Sequence, residues 1–172
     1  MPTPAYITIT GKTQGKITAG ASTAESVGNV FQEGHEDQIL VQEVEHMVSV
    51  PTDPQSGQPT GQRVHHPFIF TAAMNKATPL LYGALVTGEM LTEVEVMWYR
   101  TSTEGIQEYF FSTLLHDATI VSITTVLPHA QDPSKAPFTQ LVKVAMNYRK
   151  IEWHHVLANT AASDDWRKLK QD

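Results

Sequence analysis

The chain has 172 residues, 41% hydrophobic and 17% charged, a composition that suits one folded domain and excludes a disordered chain or a coiled coil. Twelve Lys and Arg against eighteen Asp and Glu leave a net charge of -6, the wrong sign for covering phosphates over a broad surface, so no nucleic-acid partner is expected. The absence of cysteine excludes disulfides, thiolate metal sites and a cysteine nucleophile together.

Met1 to Thr10 has no basic start followed by an apolar run, and no segment approaches the roughly 18 apolar residues of a membrane helix. Neither a cleaved secretory signal nor membrane insertion is therefore expected. Ala5 to Thr10 alternates Ala5, Ile7 and Ile9 with Tyr6, Thr8 and Thr10, the period of two of a half-buried strand. Gly11, Gly15, Gly20, Gly28 and Gly34 then break the chain into turns and short pieces. From Ile39 to Val50 the β-branched residues return, with Val44, Val48 and Val50 on one parity and Glu43, Glu45 and Ser49 on the other, which predicts one long half-buried strand.

The next segment is Pro51, Thr52, Asp53, Pro54, Gln55, Ser56, Gly57, Gln58, Pro59, Thr60 and Gly61. It holds no large apolar side chain and cannot join a core, so it predicts a projecting polar loop, functional or mobile. Val64 to Thr71 alternates again and reads as a strand, with Pro67 arguing for an edge or a strand start. Thr78 to Gly88 carries the one strong helix signal, with Thr78 as N-cap, Pro79 at the first helical position, Leu81 and Leu85 four apart, and Gly88 as terminator.

Strand patterns dominate after the helix. Val94, Val96 and Trp98 oppose Glu93, Glu95 and Tyr99, and Gln107 to Leu127 is long and apolar on both parities in places, as where both faces are covered. His129 to Pro137 reads as a loop. In Phe138 to Val156 the apolar parity of Val142, Val144, Met146 and Tyr148 passes to Ile151 and Trp153, which implies a bulge or a change of packing partner near Arg149 and Lys150. Asn159 to Asp172 is polar around Trp166 and reads as a mobile tail. With no internal repeat or linker, residues 1–172 form a single mainly β domain, a two-sheet barrel or sandwich with one packed helix.

The candidate chemistries fail on spacing. Gly11-Lys12-Thr13 follows a strand, but a phosphate-binding loop needs a glycine five positions earlier, where Tyr6 stands. His65-His66 and His154-His155 are strand neighbours that point to opposite faces, and His35-Glu36-Asp37 matches no zinc or calcium pattern. His46 shares the parity of Val44 and Val48 and reads as a hydrogen-bonded core histidine. Ser112, His116 and Asp117 lack a nucleophile-elbow pattern, and Asp164-Asp165 reads as a solvated acidic face. No catalytic residue, cofactor site or metal site is expected, and the protein is not expected to be an enzyme.

An ordered set of segments carries a further signal: ITITGKTQGKITAGA from Ile7, ESVGN from Glu25, GHED from Gly34, LVQEVEH from Leu40 and VPTDPQSGQPTGQRVHHPF from Val50. NKATPLLYGAL from Asn75, WYRT from Trp98, FFSTLLHDATIV from Phe110, YRKIEWHH from Tyr148 and SDDWR from Ser163 complete it. Nearly end to end, the chain resembles the haemolysin-coregulated protein (Hcp) family, the tube subunit of the bacterial type VI secretion system. The resemblance implies a small two-sheet β-barrel with one helix that closes into rings of six. It implies rings that stack into a tube within a contractile sheath, leave with a spike protein at the tip, and carry small effector proteins in the lumen. Export then needs no cleaved signal peptide, and assembly takes place in the bacterial cytoplasm. Pro51 to Gly61 acquires a role as a ring or stacking contact, because a proline-rich projection loses little entropy on docking. The alternative is a non-secreted ligand-binding β-barrel of the same fold.

Overall fold

The computed structural model describes residues 3–31 and 33–168. In chain order the strands are β1 (Ala5–Gly11), β2 (Gly15–Lys16), β3 (Ile39–Glu45), β4 (Val48–Ser49), β5 (Val64–His65), β6 (Phe68–Ala73), β7 (Leu91–Thr101), β8 (Gln107–Val126), β9 (Leu141–Asn147), β10 (Lys150–His155) and β11 (Thr160–Asp165). The helices are a single turn, α1 (Ala24–Val27), and the ten-residue α2 (Thr78–Thr87).

The ladder runs β8–β7–β1–β3–β6–β9 and returns to β8, every pairing antiparallel, so six strands close a ring of hydrogen bonds. Closure removes the open edges that a flat sheet of these strands would expose. Ile7, Ile9, Phe68, Phe70, Val94, Val96, Val144 and Met146 alternate inward and are at most 1% exposed, and each such burial contributes about 1.5–3 kcal/mol. From α2, Leu81 and Ala84 enter the same core. The mainly β fold with one substantial helix read from periodicity is the fold observed.

The twenty-residue β8 serves two partners along one edge. Its Phe111–His116 stretch pairs with β10 and its Thr119–Val126 stretch pairs with β9. Thus β9 and β10 lie end to end along β8, separated only by Tyr148 and Arg149. At that gap the other edge changes partner, from β6 on β9 to β11 on β10. The parity switch near Arg149 and Lys150 is this change of partner. Opposite it Asp117 adopts φ 52°, a left-handed conformation that Asp tolerates better than most residues, and its Oδ2 accepts from Arg149 Nε at 2.7 Å.

Four expectations are corrected. The strand expected over Ile39–Val50 is two: β3 ends at Glu45, and β4 leaves the ring to pair with β5 alone. Val48 and Val50, placed on the core parity by alternation, are accordingly 40% and 47% exposed. Val64–Thr71 is likewise broken, at His66-Pro67, because proline cannot continue a ladder. Thr78 opens α2 instead of capping it; Ala77 is the N-cap, and Ala77 N–H donates to Asn75 Oδ1 at 2.8 Å. Finally, the polar segment after Asn159 is not a tail throughout, since Thr160–Asp165 pairs residue for residue with β10; residues 169–172 lie outside those described.

Gly11-Lys12-Thr13 is the turn from β1 into β2. Gly11 lies against the end of the Glu89 side chain, which a Cβ there would displace.

Candidate functional site

Residues 51–61 form an ordered projection at the end of the β4–β5 hairpin. Thr52 and Pro59 bridge, Thr60 N–H donates to Pro51 O at 2.8 Å, and Asp53 N–H donates to Gln58 O at 2.8 Å. Gly57 N–H closes the tip onto Asp53 O at 2.8 Å with φ 73° at Gly57, a conformation that favours glycine. Asp53 Oδ1 accepts from Gln55 N–H at 2.8 Å. The segment spends its backbone groups on itself and, Asp53 apart, is exposed along its whole length. Met47, Val48, Val50 and Val64 at its base are 40–53% exposed, so an apolar collar surrounds the stem of a polar projection.

The hairpin is anchored by side chains. Arg63 Nε and Nη2 donate to Asp164 Oδ2 and Oδ1 at 2.8 and 2.9 Å, and Nη2 also donates to the carbonyls of Asp165 and Lys168 at 3.0 and 2.8 Å. His65, 7% exposed, places Nε2 2.7 Å from Asp164 Oδ2 and Nδ1 2.6 Å from Tyr148 Oη. His46 Nε2 reaches the same phenol oxygen at 2.7 Å. Trp166 stacks on His65 at 5.7 Å, and its indole N–H donates to Tyr148 O.

These contacts assign the hydrogen-bond directions. A carboxylate only accepts, so His65 Nε2 carries a proton toward Asp164. In the neutral ring Nδ1 is then the acceptor for the Tyr148 O–H, and His46 Nε2–H donates to the phenol oxygen. Every member of the chain Arg63, Asp164, His65, Tyr148, His46 has its partner, and the described residues contain no buried side-chain polar atom without one. Burial, reinforced by the Asp164 charge, raises the Tyr148 phenol, which stays a neutral donor. The hydrogen bond from Arg63 holds Asp164 below the usual carboxylate range, with His65 adding to it. Burial lowers His46, and the neighbouring His65 and His66 lower it further.

By local sequence Asp164 and Asp165 read as a solvated acidic face. Both are ion-paired instead, Asp164 with Arg63 and Asp165 with Arg149 Nη1 at 2.5 Å. The anchor was missed because Arg63 and Asp164 stand 101 residues apart; its one local trace is Arg63 and His65 flanking Val64, which sets both on one face of an extended strand. His46 is hydrogen-bonded, as read. His66 Nε2 lies 3.1 Å from Ser49 Oγ, on the far side of β5 from His65.

The other candidates are dispersed. His35 stacks on Tyr6 at 3.8 Å, Glu36 accepts from Gly34 N–H, and Asp37 accepts from Gly20 N–H. Ser112, His116 and Asp117 do not converge: His116 Nε2 lies 3.1 Å from Glu152 Oε2, and Asp117 pairs with Arg149. What the arrangement presents is an exposed, internally hydrogen-bonded loop with a partly buried polar root.

Comparison with known proteins agrees with the segments noted in the sequence. The family model described as "Type VI secretion system effector, Hcp" matches residues 6–155. The "Major exported protein" of Pseudomonas aeruginosa is 57% identical over 167 residues, 97% of each chain. A crystal structure of an Hcp protein superposes with a TM-score of 0.93 at 55% identity, covering 97% of this chain and 99% of that one. The secreted protein Hcp3 from Pseudomonas aeruginosa superposes with a TM-score of 0.83 at 48% identity, covering 97% and 100%. The chain belongs to the Hcp family of the type VI secretion system.

Proposed function

We propose that the chain is the exported tube subunit of a type VI secretion system, closing into rings of six whose stacking is made by residues 51–61. Family membership supports the ring and the export. The observation that carries the stacking role is the projection itself, ordered by its own hydrogen bonds and paired with no strand of the closed ring. A preorganised projection loses little conformational entropy on docking, and the exposed Met47, Val48, Val50 and Val64 supply apolar area at its stem.

On this reading the sheath encloses the stacked rings, the spike protein caps them, and small effector proteins ride in the lumen. The protein acts as a structural carrier, without turnover or cofactor. It assembles in the bacterial cytoplasm and leaves without a cleaved signal peptide.

The test replaces Thr52–Thr60 with a short Gly-Ser turn. The strands β4 and β5 still pair as a hairpin, so circular dichroism and cooperative melting should survive while tubes fail to form and release into the medium stops. Normal tubes and normal release from a folded variant would overturn the role of the projection.

A further inference from the structure

β4 and β5 pair with each other and with no other described strand, and the bond from His66 N–H to Met47 O at 3.0 Å is the backbone link between them and the β3–β6 pair, so side chains add to a short backbone hinge in setting the angle of the hairpin. Arg63 and His65, two residues apart on β5 and its approach, converge on a single carboxylate oxygen, Asp164 Oδ2, at 2.8 and 2.7 Å. The guanidinium takes the second oxygen as well, and a two-point contact from a planar fork fixes direction as well as distance.

β11 carries the acceptor. Its first four residues, Thr160 to Ser163, are exposed, and only Asp164 and Asp165 are partly covered. It therefore brings almost nothing to the core, yet it is paired along its length with β10, which is paired with β8. It also lies beyond the residues 6–155 that the family model matches. A strand that buries so little and is so firmly held is a rigid mount for its last two side chains. Behind it, the His65 ring is held between Trp166 and Tyr148 at 5.7 and 5.4 Å.

We infer that Asp164 is a positioning residue for ring stacking: mounted on β11, it latches Arg63 and His65 and thereby fixes the pose of the 51–61 projection. This rests on the reading that the projection makes the ring-to-ring contact.

The experiment compares the full-length chain with Asp164→Asn and Asp165→Asn, reading amide hydrogen exchange of residues 51–61 and the protein concentration at which tubes form. Asn keeps the shape of Asp164 but replaces one acceptor oxygen with a donor and loses the charge, so it cannot serve Arg63 and His65 together as the carboxylate does. Asp164→Asn should melt cooperatively and form rings, while exchange at the projection quickens about tenfold and the concentration for tubes rises by about the same factor. Asp165→Asn removes the carboxylate that pairs with Arg149 and keeps the main-chain carbonyl that Arg63 uses, and it should leave both unchanged. If Asp164→Asn fails to fold, Arg63→Gln opens the latch from the hairpin side and should give the same two changes.

Unchanged exchange and unchanged stacking in a folded Asp164→Asn chain, with stacking lost on replacing Thr52–Thr60, would overturn the latch and leave the stacking role standing. Equal effects of the two Asn variants would overturn it too, by showing general loosening of β11. Normal stacking of the Thr52–Thr60 replacement would overturn the reading of the projection and with it the latch's consequence for stacking.

Discussion

His65 Nδ1 lies 2.6 Å from Tyr148 Oη, and His46 Nε2 shares that oxygen from a distance of 2.7 Å. One phenol therefore joins two histidines from the two ends of the hairpin excursion. It sits at the gap between β9 and β10, where the strand changes partner, so the root of the projection and the seam of the fold are one place.

Tyr148→Phe keeps the ring, which is 1% exposed, and strands the two imidazole nitrogens. Leaving buried polar groups unpaired costs about 1–3 kcal/mol, and the melting temperature should fall by about 5 °C. Calorimetry that shows a change of less than about 1 °C would contradict the hydrogen-bond assignment.

The same cluster sets a pH dependence. His46 is lowered in the fold, chiefly by burial, so below the ordinary histidine value of about 6.5 the unfolded chain takes up a proton that the folded chain refuses. Stability should therefore fall as pH drops through that value toward the lowered folded one. Asp164 is also lowered, chiefly by Arg63; its stabilisation is present above about 3.9 and is lost as pH falls through its folded value. Melting curves should show two successive declines, and His46→Gln should remove the first alone. A melting temperature that does not move between neutral and mildly acidic pH would sink the account of His46.

Residues 51–61 contain one ionisable side chain, Asp53, whose Oδ1 is occupied by Gln55 N–H. A contact made through this surface is close to neutral and should respond weakly to screening. Tube formation should change less than about twofold between roughly 0.05 and 0.5 M salt. A steep loss of tubes over that range would assign stacking to charged faces elsewhere.

Val50 is 47% exposed beside the stem. Val50→Lys should alter folding stability by less than about 0.5 kcal/mol, because little area is lost from the core. Tubes should nevertheless weaken, since an ammonium group would be buried in the contact. Thermal unfolding and sedimentation of the same sample separate the two effects.

What the sequence carried well was periodic. Ile7 and Ile9, the helix between Pro79 and Gly88, and the parity switch at Arg149 each express a rule that acts over a few residues, and each is present in the fold. Val48 and Val50 misled, because alternation reports a strand's two faces but not whether either face meets the core. The anchor was illegible for a different reason. The partners of Arg63, His65 and His46 are Asp164 and Tyr148, and which of several carboxylates an arginine meets about a hundred residues later depends on closure of the whole ring of strands. The solvated reading of Asp164-Asp165 failed at the same point, since the acids look solvated until β11 is laid beside β10.

The central claim is that the chain closes into a ring whose projection then stacks, and the most direct measurement is the mass of the purified protein by native mass spectrometry at micromolar concentration. The account predicts a species of six times the 19.1 kDa chain, with no appreciable monomer at neutral pH. A monomer or dimer at that concentration would contradict it and favour an ordinary ligand-binding barrel of the same fold.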